Sequence, residues 1–229
     1  MLLLAKNFSD LILPLNPYHT KFYLSSTVEF TLRIYSRDID TILSETRAAL
    51  AAVGESSPYI LIPHSMSGLE SLRWAQIYPD EVAGIIGIDM AIPSVYIDDE
   101  IVPPFLLTVL AQMGIQRFFP VSDLSLTKDE YKQAKLLFYR NVENKTLRNE
   151  VGSVLDNAKA VEDSGIPDIP VCLLVSDGQE LNEKWVSCQE EFAVQNNAEI
   201  EYFDCGHYIH QHEPERIAEL CREFISALR

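Results

Sequence analysis

Glycine is missing from residues 1–53, and the whole 229-residue chain holds only nine. A glycine-rich loop after an early strand is therefore excluded. Basic residues are also scarce: 18 Lys and Arg against 34 Asp and Glu leave a formal net charge of −16. Such a chain repels a nucleic-acid backbone and an anionic bilayer, so neither is an expected partner. The four cysteines, Cys172, Cys188, Cys205 and Cys221, show no C-x-x-C spacing. That pattern fits a reduced, cytoplasmic protein better than a disulfide framework. No H-E-x-x-H or comparable spacing offers a metal site, and neither metal nor organic cofactor is expected. No apolar run is long enough to span a bilayer. The opening Met1-Leu-Leu-Leu-Ala breaks at Lys6-Asn7 without a basic front, and is not read as a signal peptide.

What is present points to one α/β domain. Apolar residues make up 47% of the chain, enough to cover a sheet on both faces. Tyr59-Ile-Leu-Ile62 reads as a short buried strand. It breaks at Pro63-His64-Ser65-Met66-Ser67-Gly68 and continues as a helix through Leu69, Leu72, Trp74 and Ala75 to a stop at Pro79. A serine hydroxyl is a poor nucleophile unless a strained, exposed turn presents it to a base, and Ser65 sits in such a turn. Ile39, Ile42, Leu43, Leu50 and Val53 mark a preceding helix that ends at Gly54. Val82 to Asp89 is the next buried strand, Val171 to Ser176 another, and Glu199 to Phe203 the last. Pro214 opens a closing helix with Ile217, Leu220, Cys221, Phe224, Ile225 and Leu228 on its apolar face.

An activated serine needs a base, and the base needs an acid. Asp177 follows the Val171 strand and precedes Gly178, at the edge where open α/β sheets place ligands. His207, beside Gly206, lies between the last strand and the closing helix. Ser65, Asp177 and His207 in that chain order are read as nucleophile, acid and base. Asp89, which also ends a strand, is the competing acid, with Glu180 a weaker substitute. His64 is read as packing or supporting the site, and His210 and His212 as lying at the entry of the closing helix.

These segments resemble the α/β-hydrolase fold family. Pro-His-Ser65-Met-Ser-Gly looks like its nucleophile elbow, with Pro63 and Ser67 where glycines are expected. Val-Ser-Asp177-Gly looks like its acid turn, and Gly-His207-Tyr-Ile-His-Gln-His-Glu-Pro like its histidine loop. The likeness covers residues 57–229, and residues 1–56 match weakly. It implies a mostly parallel sheet flanked by helices, with core segments 1–91 and 166–229 and a helical cap inserted at 92–165. The proline-broken helical pattern of that stretch, too long for a loop, agrees. Phe105, Met113, Phe118 and Phe138 are expected to line an apolar substrate pocket.

The implied activity is a serine hydrolase cleaving a small ester, amide or related acyl substrate through an acyl-enzyme, akin to carboxylesterases, lactonases and iminopeptidases. The Met66 N–H is the expected oxyanion donor. The family's second donor comes from a glycine-rich loop that residues 1–53 lack, and Leu11–Leu15 is read as the strand that would follow such a loop. Two consequences are expected: the alternative of a hydrolase-like binding domain with an incomplete oxyanion hole, and self-association through an uncovered sheet edge.

Overall fold

The short β-rich runs become strands and the 3.6-residue patterns between them become helices. The computed structural model describes residues 2–5, 37–97, 128–141, 145–181 and 183–228. Its strands are β1 (Leu2–Ala5), β2 (Tyr59–Ser65), β3 (Val82–Met90), β4 (Val171–Val175) and β5 (Glu199–Tyr202). The helices are α1 (Ile39–Ala52), α2 (Ser67–Ile77), α3 (Pro93–Ile97), α4 (Lys128–Asn141), α5 (Lys145–Asp163), α6 (Trp185–Asn196), α7 (Ile209–His212) and α8 (Pro214–Ala227).

The five strands form one sheet in chain order. β2 to β5 are mutually parallel, and β1 runs antiparallel along β2, with Leu2 opposite Pro63 and Ala5 opposite Ile60. Because the parallel strands advance in one direction, each right-handed crossover drops its helix onto the same face. α2, α5 and α6 accordingly share one core with the sheet, and α1, which precedes β2 in the chain, packs into the same core. α8 covers the opposite face through Ile217, Cys221, Phe224 and Ile225. The strands alternate between these layers: Val171, Leu173 and Val175 enter the first, Cys172 and Leu174 the second.

Local chemistry sets the helix ends. Asp38 caps α1, its Oδ1 accepting the Thr41 N–H at 2.9 Å. Gly54 follows α1 at φ 79°, the left-handed conformation expected of a helix stop. α5 lies within the stretch expected as an insertion, yet Val154, Ala158 and Val161 pack into the same core as Leu69 and Leu72. The buried Asn157 ties α5 to α1, accepting the Ile39 N–H at 2.9 Å and donating to the Arg37 carbonyl at 3.2 Å. Leu11–Leu15, Phe105, Met113, Phe118 and the side chain of Phe138 on α4 lie outside the described residues.

Candidate active site

The apolar β2 runs to Ser65 and turns abruptly. Ser65 has φ 57°, a left-handed conformation that costs a non-glycine residue about 1–3 kcal/mol. Each fully buried Leu or Ile contributes roughly 1.5–3 kcal/mol. The burial of Leu61, Leu69 and Leu72 on either side of the turn therefore offsets that strain. Ser67 Oγ clasps the turn, accepting the His64 N–H at 3.0 Å and donating to the His64 carbonyl at 2.8 Å. The Ala91 N–H donates to the Ser65 carbonyl at 2.8 Å. At Gly68 a Cβ would lie 2.1 Å from the Ala91 carbonyl oxygen, so only glycine lets α2 approach the end of β3 so closely. Met66 is the N-cap of α2, and its N–H belongs to the helix end whose backbone donors lack intrahelical partners.

The acid assignment from sequence is corrected here. Asp89, not Asp177, meets His207: Asp89 Oδ2 lies 2.6 Å from His207 Nδ1. Asp89 is fully buried, and its Oδ1 accepts the Ser176 N–H at 3.0 Å, Trp185 Nε1–H at 2.9 Å and Gln189 Nε2–H at 3.3 Å. Burial alone would raise its pKa. The hydrogen bonds from His207, the Ser176 N–H and Trp185 outweigh that and hold the carboxyl below its usual range. Asp177 is half-buried and folds back on its own turn, accepting the Gln179 N–H at 3.0 Å. Its backbone N–H donates to the Cys205 carbonyl at 3.0 Å. Asp177 therefore shapes the loop that carries the base, a turn role common for aspartate.

His207 is buried, and Trp185 packs edge-on against its ring at 5.5 Å. With Nδ1–H committed to the Asp89 carboxylate, the neutral ring keeps Nε2 as an acceptor, the tautomer a general base requires. Ser65 and Asp89 stand at the C-terminal ends of adjacent parallel strands, and His207 in the loop after β5. No hydrogen bond of Ser65 Oγ forms among the described residues. In unliganded sites such bonds are commonly long and tighten when substrate binds. His210, expected at a helix entry, lies on the short α7, and its ring packs edge-on against His64 at 4.8 Å.

Trp185 and Gln189 escape a reading of the sequence, because they lie 96 and 100 residues from the carboxylate they hold. Their spacing is the available signal. One helical turn apart, both face the strand ends from α6 and carry side-chain donors into an otherwise apolar layer. Among the described residues no group of three His, Cys, Asp or Glu side chains is arranged to hold a metal ion. Nor is any described helix long and apolar enough to cross a membrane.

Solved structures share the fold that carries these residues. The epoxide hydrolase CorEH superposes with a TM-score of 0.62 at 15% identity, over 88% of this chain and 79% of that one. A loop variant of the haloalkane dehalogenase DbeA from Bradyrhizobium elkanii gives 0.59 at 15% identity, over 86% and 76%. The chain has the α/β-hydrolase fold. In sequence it is 33% identical over 214 residues to the uncharacterized protein YbdG of Bacillus subtilis (strain 168). That alignment covers 84% of this chain and 66% of YbdG, so the chain spans just under two thirds of that relative's length. No protein-family model matches the chain.

Proposed function

We propose that the protein is a serine hydrolase that cleaves a small ester, amide or related acyl compound through an acyl-enzyme on Ser65, with His207 as base and Asp89 as the orienting acid. The observation that carries this reading is the buried 2.6 Å contact between Asp89 Oδ2 and His207 Nδ1, one strand from a serine held at φ 57°. Epoxide and haloalkane chemistry are named for the structural neighbours, so the fold does not choose the reaction. The residue in the elbow does: a hydroxyl activated by a neighbouring imidazole suits attack on a carbonyl carbon.

In this reaction His207 Nε2 takes the Ser65 Oγ proton as Oγ bonds to the acyl carbon. The carbonyl electrons move onto oxygen, where the Met66 N–H at the start of α2 stabilises the charge. His207 then gives its proton to the departing alcohol or amine. A water, deprotonated by the same nitrogen, bonds to the acyl carbon, and His207 returns that proton to Ser65 Oγ as the Oγ–acyl bond breaks and the acid leaves. Asp89 keeps the imidazole in the right tautomer and stabilises the imidazolium. A reduced, cytoplasmic setting suits the four free thiols.

A second reading draws on the sequence: residues 1–53 contain no glycine, so no glycine-rich loop supplies a second oxyanion donor, which favours a hydrolase-like domain that binds acyl compounds and turns them over slowly. Missing one oxyanion donor costs about 10²–10³ in rate. A fluorescent phosphonate separates the readings from a non-reacting chain. Wild-type protein is expected to label on Ser65, Ser65→Ala to lose the label, and turnover of a short-chain chromogenic ester to tell a full enzyme from a slow one. Labelling that persists in Ser65→Ala would refute the nucleophile.

A further inference from the structure

The backbone of His207 is gripped on both sides by side chains that the chemistry does not consume. Its N–H donates to Glu180 Oε2 at 3.1 Å, and its carbonyl oxygen lies 3.1 Å from His64 Nε2. A carbonyl only accepts, so His64 Nε2 carries the proton and the tautomer of this second imidazole is fixed. His64 is buried among rings, with centroids 4.5 Å from His207, 4.8 Å from His210 and 5.3 Å from Tyr208. It also immediately precedes Ser65 on β2.

We propose that His64, together with Glu180, is a positioning residue that ties the loop of the base to the strand of the nucleophile. The inference rests on the reading of Ser65, His207 and Asp89 as the reacting centre, and says what sets their spacing. His207 follows Asp204-Cys205-Gly206, a segment outside any helix or strand, so its own backbone gives it little rigidity. An error of 1 Å in such a centre can cost about 10² in rate. The donor bond from His64 makes the position of His207 a property of β2. Gly206 serves the other side, because a side chain there would take the space of the Glu180 carboxylate.

The chemistry of His64 fits that task. Burial, and then the neighbouring His207, lower its pKa to about 3, while the bond to the His207 carbonyl works weakly against them. At neutral pH it is an uncharged donor, and it puts no positive charge beside His207 when that ring takes up a proton.

Three variants and two readouts test the proposal. His64→Phe keeps a ring and removes the donor, His64→Gln keeps an Nε2 donor, and Glu180→Ala removes the acceptor at an exposed position. The first readout is the low-field proton resonance of the His207 Nδ1–H bonded to Asp89, which needs no turnover. The second is phosphonate labelling of Ser65, resolved into kinact and KI. We expect His64→Phe to broaden or abolish the resonance and lower kinact about 10–100-fold with KI unchanged. Glu180→Ala should lower kinact roughly 10-fold, and His64→Gln should restore both readouts to within about threefold of wild type. Packing alone predicts that Gln fails as badly as Phe, and that result would overturn the proposal. So would an unchanged resonance and kinact in His64→Phe or, should that variant not fold, in Glu180→Ala. If wild-type Ser65 does not react with the phosphonate, the hydrolase reading falls, and the resonance alone still decides whether His64 holds His207.

Discussion

Two aspartates end neighbouring parallel strands of the same sheet, and they live in opposite worlds. Asp89 closes β3 with no exposed surface and four hydrogen-bond donors around its carboxylate. Asp177, just past β4, is half-buried and accepts from its own turn at Gln179. Position at a strand end is shared, so it cannot be what selects the acid. A carboxylate that must hold an imidazolium needs to be kept from water and charged at the same time. That combination demands a set of fixed donors, and only Asp89 has one. The surrounding sequence explains the split. Asp89 lies within the run Val-Ala-Gly-Ile-Ile-Gly-Ile-Asp-Met, where no other side chain is charged. Asp177 sits in Ser-Asp-Gly, which is turn chemistry.

The largest effect expected from this contrast is on Asp89→Asn. An amide in place of the carboxylate no longer fixes the His207 tautomer or stabilises its cation, and kcat on a chromogenic ester should fall on the order of 10⁴. Steady-state kinetics checks this directly, with a melt to show that the fold survives. A loss below about tenfold would break the comparison at its strong end.

The next effect is on stability as a function of pH. His64 lies in the same dry cluster, and its folded-state pKa of about 3 is below the 6.5 of an exposed histidine. Between those values the unfolded chain binds a proton that the folded chain does not, so stability rises with pH across this window. It is fully present above pH 6.5 and is lost as pH falls toward 3, by an amount on the order of a few kcal/mol. Denaturant melts at pH 7 and pH 4.5 should show a large difference in wild type and a smaller one in His64→Gln. Equal slopes in the two proteins would remove His64 from the dry cluster.

A smaller effect is expected at Trp185, whose Nε1–H reaches Asp89 Oδ1 at 2.9 Å. Trp185→Phe keeps an aromatic ring against His207 and removes one donor from a buried charge. Groups that orient a catalytic side chain in this way typically change rates about 10–100-fold, and the labelling rate of Ser65 should fall in that range. An unaltered rate would mean that Ser176 and Gln189 suffice to hold Asp89.

How much of this was legible follows from the range of the interactions. The strands around Ile60, Ile85 and Leu173 and the helices closed by Gly54 or opened by Pro214 are local patterns of apolar spacing and backbone stops. The structure has them within a few residues of where the sequence puts them. The turn at Ser65 was legible for the same reason, since small residues at Ser67 and Gly68 announce a close helix approach. The acid was not. Choosing between Asp89 and Asp177 required knowing that Trp185, Gln189 and His207, each 96 or more residues from Asp89, converge on one carboxylate. The antiparallel course of β1 was equally hidden, because an apolar run such as Leu2-Leu-Leu-Ala carries no sign of its direction in a sheet.

The smallest effect belongs to Asp177→Asn, and it is the sharpest probe of the contrast because it is the same chemical change as at Asp89. Asparagine keeps the Oδ1 acceptor that the Gln179 N–H uses, and the backbone bond to the Cys205 carbonyl does not involve the side chain. The carboxylate is partly in water, so removing its charge leaves no buried partner stranded. Stability should therefore change by less than about 0.5 kcal/mol, the range of ordinary surface substitutions, and kcat by less than about twofold. Denaturant melts and ester turnover, run beside Asp89→Asn, give both numbers. If Asp177→Asn instead lost on the order of 10³ in kcat while Asp89→Asn did not, the loop would have to rearrange on substrate binding so that Asp177 reaches His207. The dry carboxylate would then be a packing feature rather than the acid.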